Sequence, residues 1–176
     1  MGRIVQDRTQ RQLGAAEGFL ELGLPQKALE ILQSRSHWAT MPFEANFLTG
    51  QALRVLGRPR EALRPLEAAA ALRPDDLAVA MELGWCYKRT HRLAQAIDVL
   101  ELARRHHPEA PLLDYNLACY WSLARNPAKA LVALASALEQ EPRLRLRIAD
   151  ETDFDPVRDH PDFRRLTAGQ GHAPSV

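Results

Sequence analysis

The sequence predicts an all-α fold of stacked helix pairs, and three observations carry the prediction. From Phe43 to Leu144 one pattern repeats in three gapless blocks of 34 residues, aligned at Phe43, Leu77 and Pro111. Small residues recur at the eighth position (Gly50, Gly84, Ala118), the twentieth (Ala62, Ala96, Ala130) and the twenty-seventh (Ala69, Ala103, Ala137), with proline at the thirty-second (Pro74, Pro108, Pro142). A fixed period of this length marks a stacked-repeat protein, in which each unit buries its apolar face only against its neighbours. Composition is the second observation: 46% hydrophobic but only 6% aromatic, with Ala and Leu prominent, a balance that favours helices over strands. The third is Pro25, Pro59 and Pro127, all at the seventeenth position, where a proline in the first helical turn loses no hydrogen bond and presets φ.

Taken in order, residues 9–42 align as a first, degenerate repeat, with Gly23 at the fifteenth position, Ala28 at the twentieth, Leu32 at the twenty-fourth and Pro42 at the thirty-fourth. The pattern breaks at Gly14, at Gly18 and from Ser34 to Trp38, as befits a terminal unit with one unpartnered face. Helices are expected at about 7–22 and 26–35, then in pairs at about 43–56 and 59–72, 77–90 and 93–106, and 111–124 and 127–140. Asn126 is a suitable N-cap for the last of these. The alanines at positions twenty and twenty-seven let each second helix approach the first helices of its own and the following repeat. Beyond Pro142, Arg143 to Ala149 suits a last amphipathic helix with Leu144, Ile148 and Leu146 on its buried side. The expected organisation is an N-terminal cap at 1–42, full repeats at 43–76, 77–110 and 111–144, a capping segment at 143–167 and a disordered tail at 168–176.

The period and its columns resemble the tetratricopeptide repeat. That resemblance implies a right-handed superhelix of about four antiparallel helix pairs whose first helices line a concave groove. In the family, positions two, five, nine, twelve and thirteen of the first helix face the groove. Position five then reads Leu13, Phe47, Met81 and Tyr115; position nine reads Glu17, Gln51, Trp85 and Cys119; position twelve reads Leu20, Arg54, Lys88 and Ser122, with Arg89 at thirteen. An apolar floor with a basic edge suits a peptide or helix of a protein partner carrying apolar anchors and some carboxylates. The implied function is a non-enzymatic adaptor. A secretion-type chaperone remains an alternative, as does a self-assembling scaffold whose row is covered by its own C-terminal segment or by a second copy. Asp150 to Leu166 resembles the closing segment that follows many bacterial arrays of this family, with Phe154, Val157, Phe163 and Leu166 as packing anchors. Trp121, at position eleven, is expected in the core. The lysine and asparagine clamp with which some members hold a C-terminal carboxylate is absent, since the corresponding positions carry Leu13 and Glu17 or Phe47 and Gln51.

Charge and motifs exclude other classes. A net charge of +1 carries no polybasic signal for nucleic acid or anionic membranes. Of 23 basic residues only Lys27, Lys88 and Lys129 are lysines, which reads as the codon usage of a GC-rich genome, because the arginines are spread along the chain. Met1 to Gln12 lacks an apolar signal region and no stretch nears the roughly 18 apolar residues of a membrane span, so a cytoplasmic location is expected. Cys86 and Cys119 are expected to be reduced, small apolar residues. His37, His91, His106, His107, His160 and His172 are scattered, and no HExxH, paired CxxC or Gly-rich phosphate loop occurs. The acidic run Asp150 to Asp162 lacks the central glycine and final glutamate of a calcium loop. No catalytic residue, metal or cofactor is therefore expected.

Overall fold

The computed structural model describes residues 2–33 and 40–168, with side chains from Gln6 onward. Among the described residues every regular element is helical: α1 (Gly2–Glu21), α2 (Pro25–Gln33), α3 (Pro42–Val55), α4 (Pro59–Leu72), α5 (Leu77–Arg89), α6 (Leu93–His106), α7 (Pro111–Leu123), α8 (Pro127–Gln140), α9 (Arg145–Ile148) and α10 (Pro161–Thr167). The 3-10 turns Pro142–Leu144 and Thr152–Val157 flank α9. Helices α3 to α8 lie within a residue of the positions that the period predicts. The break from Ser34 to Trp38 and the tail beyond residue 168 lie outside the described residues.

Two compact units divide the chain, residues 1–92 and 93–176. In the first, α1, α3 and α5 are neighbours, while α2 packs on α1 and α3, and α4 on α3 and α5. In the second, α7 packs against α6, α8 and the turn Thr152–Val157, and α8 also meets the turn Pro142–Leu144 and α10.

The small-residue columns are the places where these helices meet. Ala28, Ala62, Ala96 and Ala130 of position twenty are at most 1% exposed, and Ala69, Ala103 and Ala137 at most 4%. At position eight, Ala118 and Ala16 of the degenerate first repeat are fully buried. Gly50 shows what the column requires, because a Cβ there would stand 2.4 Å from Cγ of Leu66, a side chain with no exposure into which to retreat. Gly50→Ala is therefore expected to destabilise by about 1–2 kcal/mol, since overpacking outweighs the ~1 kcal/mol that alanine gains in helix propensity. Gly14→Ala, where nothing lies within 4 Å of the added carbon, is expected to stabilise, and urea midpoints of opposite sign check the pair.

The turn inside each helix pair requires a left-handed residue at position fifteen. Gly23 (φ 69°) and Gly57 (φ 72°) meet that requirement without cost, whereas His91 (φ 62°) and Arg125 (φ 54°) occupy the same conformation with a side chain. The α5 end is closed by Arg92 N–H donating to Tyr87 O at 2.9 Å and the α7 end by Asn126 N–H donating to Trp121 O at 2.9 Å. The side chains of His91 and Arg125 are exposed, so neither is needed to fill the core. The double substitution His91→Gly, Arg125→Gly is expected to add about 1–2 kcal/mol, read as a thermal midpoint raised by several degrees.

N-caps fix the helix starts. Asn126 accepts from Lys129 N–H at 3.1 Å, as its position predicts, and Asp76 accepts from Val79 N–H at 3.0 Å. Beyond α8 one expectation fails. Leu144 and Ile148 are buried, but Leu146 is 81% exposed, because α9 is one turn long and residue i+2 faces away from the side shared by i and i+4.

Candidate functional site

The three first helices of residues 1–92 bring the predicted columns onto neighbouring elements. Position five supplies Leu13, buried at 4%, with Phe47 and Met81 half-buried. Phe47 stacks on Phe43 with ring centroids 5.9 Å apart. A cleft of about 430 Å³ opens between α1 and α3, lined among others by Leu13, Gly14, Glu17, Phe43 and Phe47.

Trp85, at position nine of α5, is half-buried between two guanidinium groups, Arg54 at 5.5 Å and Arg89 at 5.6 Å from its ring centroid. Such cations are attracted to the negative face of the indole. Arg54 also forms an ion pair with Glu82. Burial holds the Glu82 carboxyl above its ordinary range, while Arg54 and a hydrogen bond from Gln51 pull it back. Gln51 and Arg54 of α3 and Glu82 and Trp85 of α5 thus form one cluster. Glu82 is the member that the column reading omits. Its signal in the sequence is a lone carboxylate within the otherwise apolar run from Leu77 to Leu83. Lys88 is half-buried and Arg89 exposed, so this edge is basic.

The same columns on α7 are closed. Tyr115 and Cys119 are each 2% exposed and Ser122 not at all. The turn Thr152–Val157 lies on α7, and Phe154, fully buried, meets Tyr115 edge-on with centroids 5.5 Å apart and rings at 90°. Phe163 backs Phe154 at 5.4 Å. The predicted anchors Phe154, Val157 and Phe163 are all buried, and Leu166 is half-buried. Tyr115 and Cys119, expected in an open groove, are thereby covered by the chain's own C-terminal segment, because an aromatic ring at position five is itself a good seat for an aromatic anchor; Ser122, expected there too, is buried. Burial, with Cys119, Glu151 and Asp153 nearby, holds the Tyr115 phenol well above its usual range. The Cys119 sulfur and the carboxylates of Glu151 and Asp153 lie within 4.8 Å of one another.

Two further expectations are settled. Cys86 and Cys119 are free thiols, and burial with Glu82 nearby pushes the Cys86 thiol up to about 12, so it stays protonated and unreactive near neutrality. Trp121, expected in the core, is only half-buried. It lines a cleft with Glu101, Arg104 and Val132, and the Lys129 ammonium lies 3.9 Å from its ring centroid. A cation–π contact on its face takes the place of apolar cover. No described helix is long and apolar enough to cross a membrane.

Residues 56–115 match the family model described as tetratricopeptide repeat. Among solved structures, YrrB, described as a TPR protein with an unusual peptide-binding site, superposes with a TM-score of 0.72 at 20% identity over 79% of this chain and 72% of that one. A crystal structure of MamA gives 0.70 at 22% identity over 76% and 78%. MamA from residue 41 to its end, from Desulfovibrio magneticus RS-1, gives 0.72 at 20% identity over 92% of this chain and 94% of that one. At these identities the likeness is one of fold. None of the curated proteins matches the sequence.

Proposed function

Because this chain carries tetratricopeptide repeats in an all-α solenoid of helix pairs, we propose that it is a non-enzymatic adaptor. In this reading it binds a peptide or helix of a protein partner on the first-helix face of residues 1–92. The observation that carries the reading is the contrast between equivalent columns. On α7 the row is filled by Phe154 and its neighbours, whereas on α3 and α5 Phe47, Met81 and Trp85 remain half-buried beside the cations Arg54 and Arg89. A large, half-buried aromatic ring beside two arginines has the make-up of a binding hot spot. The description of YrrB as having a peptide-binding site supports the same use of this fold. The working residues are then Phe47, Gln51, Arg54, Met81, Trp85, Lys88 and Arg89.

The test is affinity capture with the full chain and with the double variant Met81→Ala, Trp85→Ala, the bound proteins being identified by mass spectrometry. A partner lost only with the variant, at unchanged helicity, is the expected result. Equal capture by both forms, or dimers in light scattering that the variant abolishes, would replace the adaptor with another binding face or with self-assembly.

A further inference from the structure

The closing segment is itself a ligand seated on one repeat, and its chemistry says what the other repeats accept. On α7 it sends an aromatic ring, Phe154, to position five, and it sets the carboxylates of Glu151 and Asp153 beside position nine, Cys119. There the carboxylates meet a thiol and a phenol. Positions twelve and thirteen of α7 are Ser122 and Leu123, so that helix offers them no cation in these columns. The cation over Tyr115 is Arg147, at 5.6 Å, which the C-terminal segment brings with it.

The same columns of residues 1–92 match that chemistry better. Position five is apolar and half-buried in Phe47 and Met81, which suits a ring. Position nine of α5 is Trp85, flanked by the guanidinium groups of Arg54 and Arg89, with Lys88 in the same turn. Carboxylates laid there as Glu151 and Asp153 are laid on α7 come to lie over a basic edge, where charge-assisted pairs with arginine are strong and specific. We propose that the partner segment has the closing segment's own chemistry: a single aromatic anchor closely flanked by two or more carboxylates, as in Glu151-Thr152-Asp153-Phe154-Asp155. This inference rests on the adaptor reading and specifies its ligand.

The experiment is selection of random twelve-residue peptides displayed on phage against the full chain, with Trp85→Ala and Arg89→Glu as counter-selections. Thermal melts confirm that both variants fold, and Arg89 is exposed, so its reversal tests charge without touching the core. Enriched peptides lost on both variants and sharing an aromatic residue flanked by Asp or Glu are expected. A synthetic peptide spanning Asp150 to Arg158 should bind the wild type in fluorescence anisotropy and lose at least about tenfold in affinity on Arg89→Glu. Trp85-dependent peptides without this pattern would overturn the inference and leave the adaptor reading standing. Selection yielding no Trp85-dependent peptide would remove both.

Discussion

Phe154→Ala is expected to lower stability by about 3–5 kcal/mol, the cost of removing a fully buried ring and leaving a cavity. At the size of this chain that corresponds to a thermal midpoint lower by roughly 10 °C. The ring has no exposure and touches Tyr115 on one side and Phe163 on the other, so two aromatic contacts go with it. The loss should also be local in a measurable way. Cys119 is shut beneath the segment that Phe154 anchors, close to Glu151 and Asp153. In a Cys86→Ser background, Phe154→Ala should make Cys119 react with a thiol reagent many times faster, well below the unfolding midpoint. Unchanged reactivity with lowered stability would mean that the segment stays seated and that the ring contributes only packing.

Why the helices were legible while the state of the groove was not can be argued from single positions. The repeat columns encode packing between adjacent helices, which is local and periodic. Gly50 meets Leu66 of the next helix, and Ala62, Ala96 and Ala130 are buried for the same reason. The αL turns were half-visible: Gly23 and Gly57 announce them, but His91 and Arg125 hold the same φ without any compositional mark. Which columns stay open depends on where residues 152–157 fold back, a contact some forty residues along the chain that no period specifies. Glu82 escaped for a related reason, since its partners Arg54 and Gln51 lie on another helix.

The occupied α7 face also bears on how the chain manages its apolar surface. Without residues 152–157 on α7, Tyr115 would present a large exposed ring, the liability that capping units of repeat proteins remove. The segment that removes it is held in part by its own polar contacts. Arg158 donates to the carbonyl of Glu151 at 2.8 Å and to Asp155 at 3.0 Å, and Glu151 accepts from Asp153 N–H at 3.1 Å. The acidic run is thus used locally, to turn the backbone and pair with Arg158.

Asp114→Ala is the second substitution expected to have a large effect, about 2–4 kcal/mol. Asp114 stands in the first turn of α7 and is only 3% exposed, a burial rare for a carboxylate without partners. Ser136 Oγ donates to its Oδ2 at 2.6 Å and Gln140 Nε2 at 3.3 Å, both from α8. The Arg104 guanidinium of α6 reaches its Oδ1 at 3.7 Å. One carboxylate therefore joins three helices. Removing it leaves the half-buried Ser136 hydroxyl without its acceptor, while the exposed Gln140 amide turns to water, and it leaves a cation without its counter-charge, the situation in which deleting one member of a buried pair costs most. Arg104 is 42% exposed on its side chain, so water recovers part of the loss and the lower half of the range is favoured. Asp114→Asn separates the contributions, since it keeps the volume and an acceptor for Ser136 while removing the charge. A loss near 1 kcal/mol for Asn against 2–4 kcal/mol for Ala, from urea midpoints at unchanged slope, is the expected outcome. Equal losses for the two would assign the effect to the Arg104 charge pair rather than to the hydrogen bonds from α8.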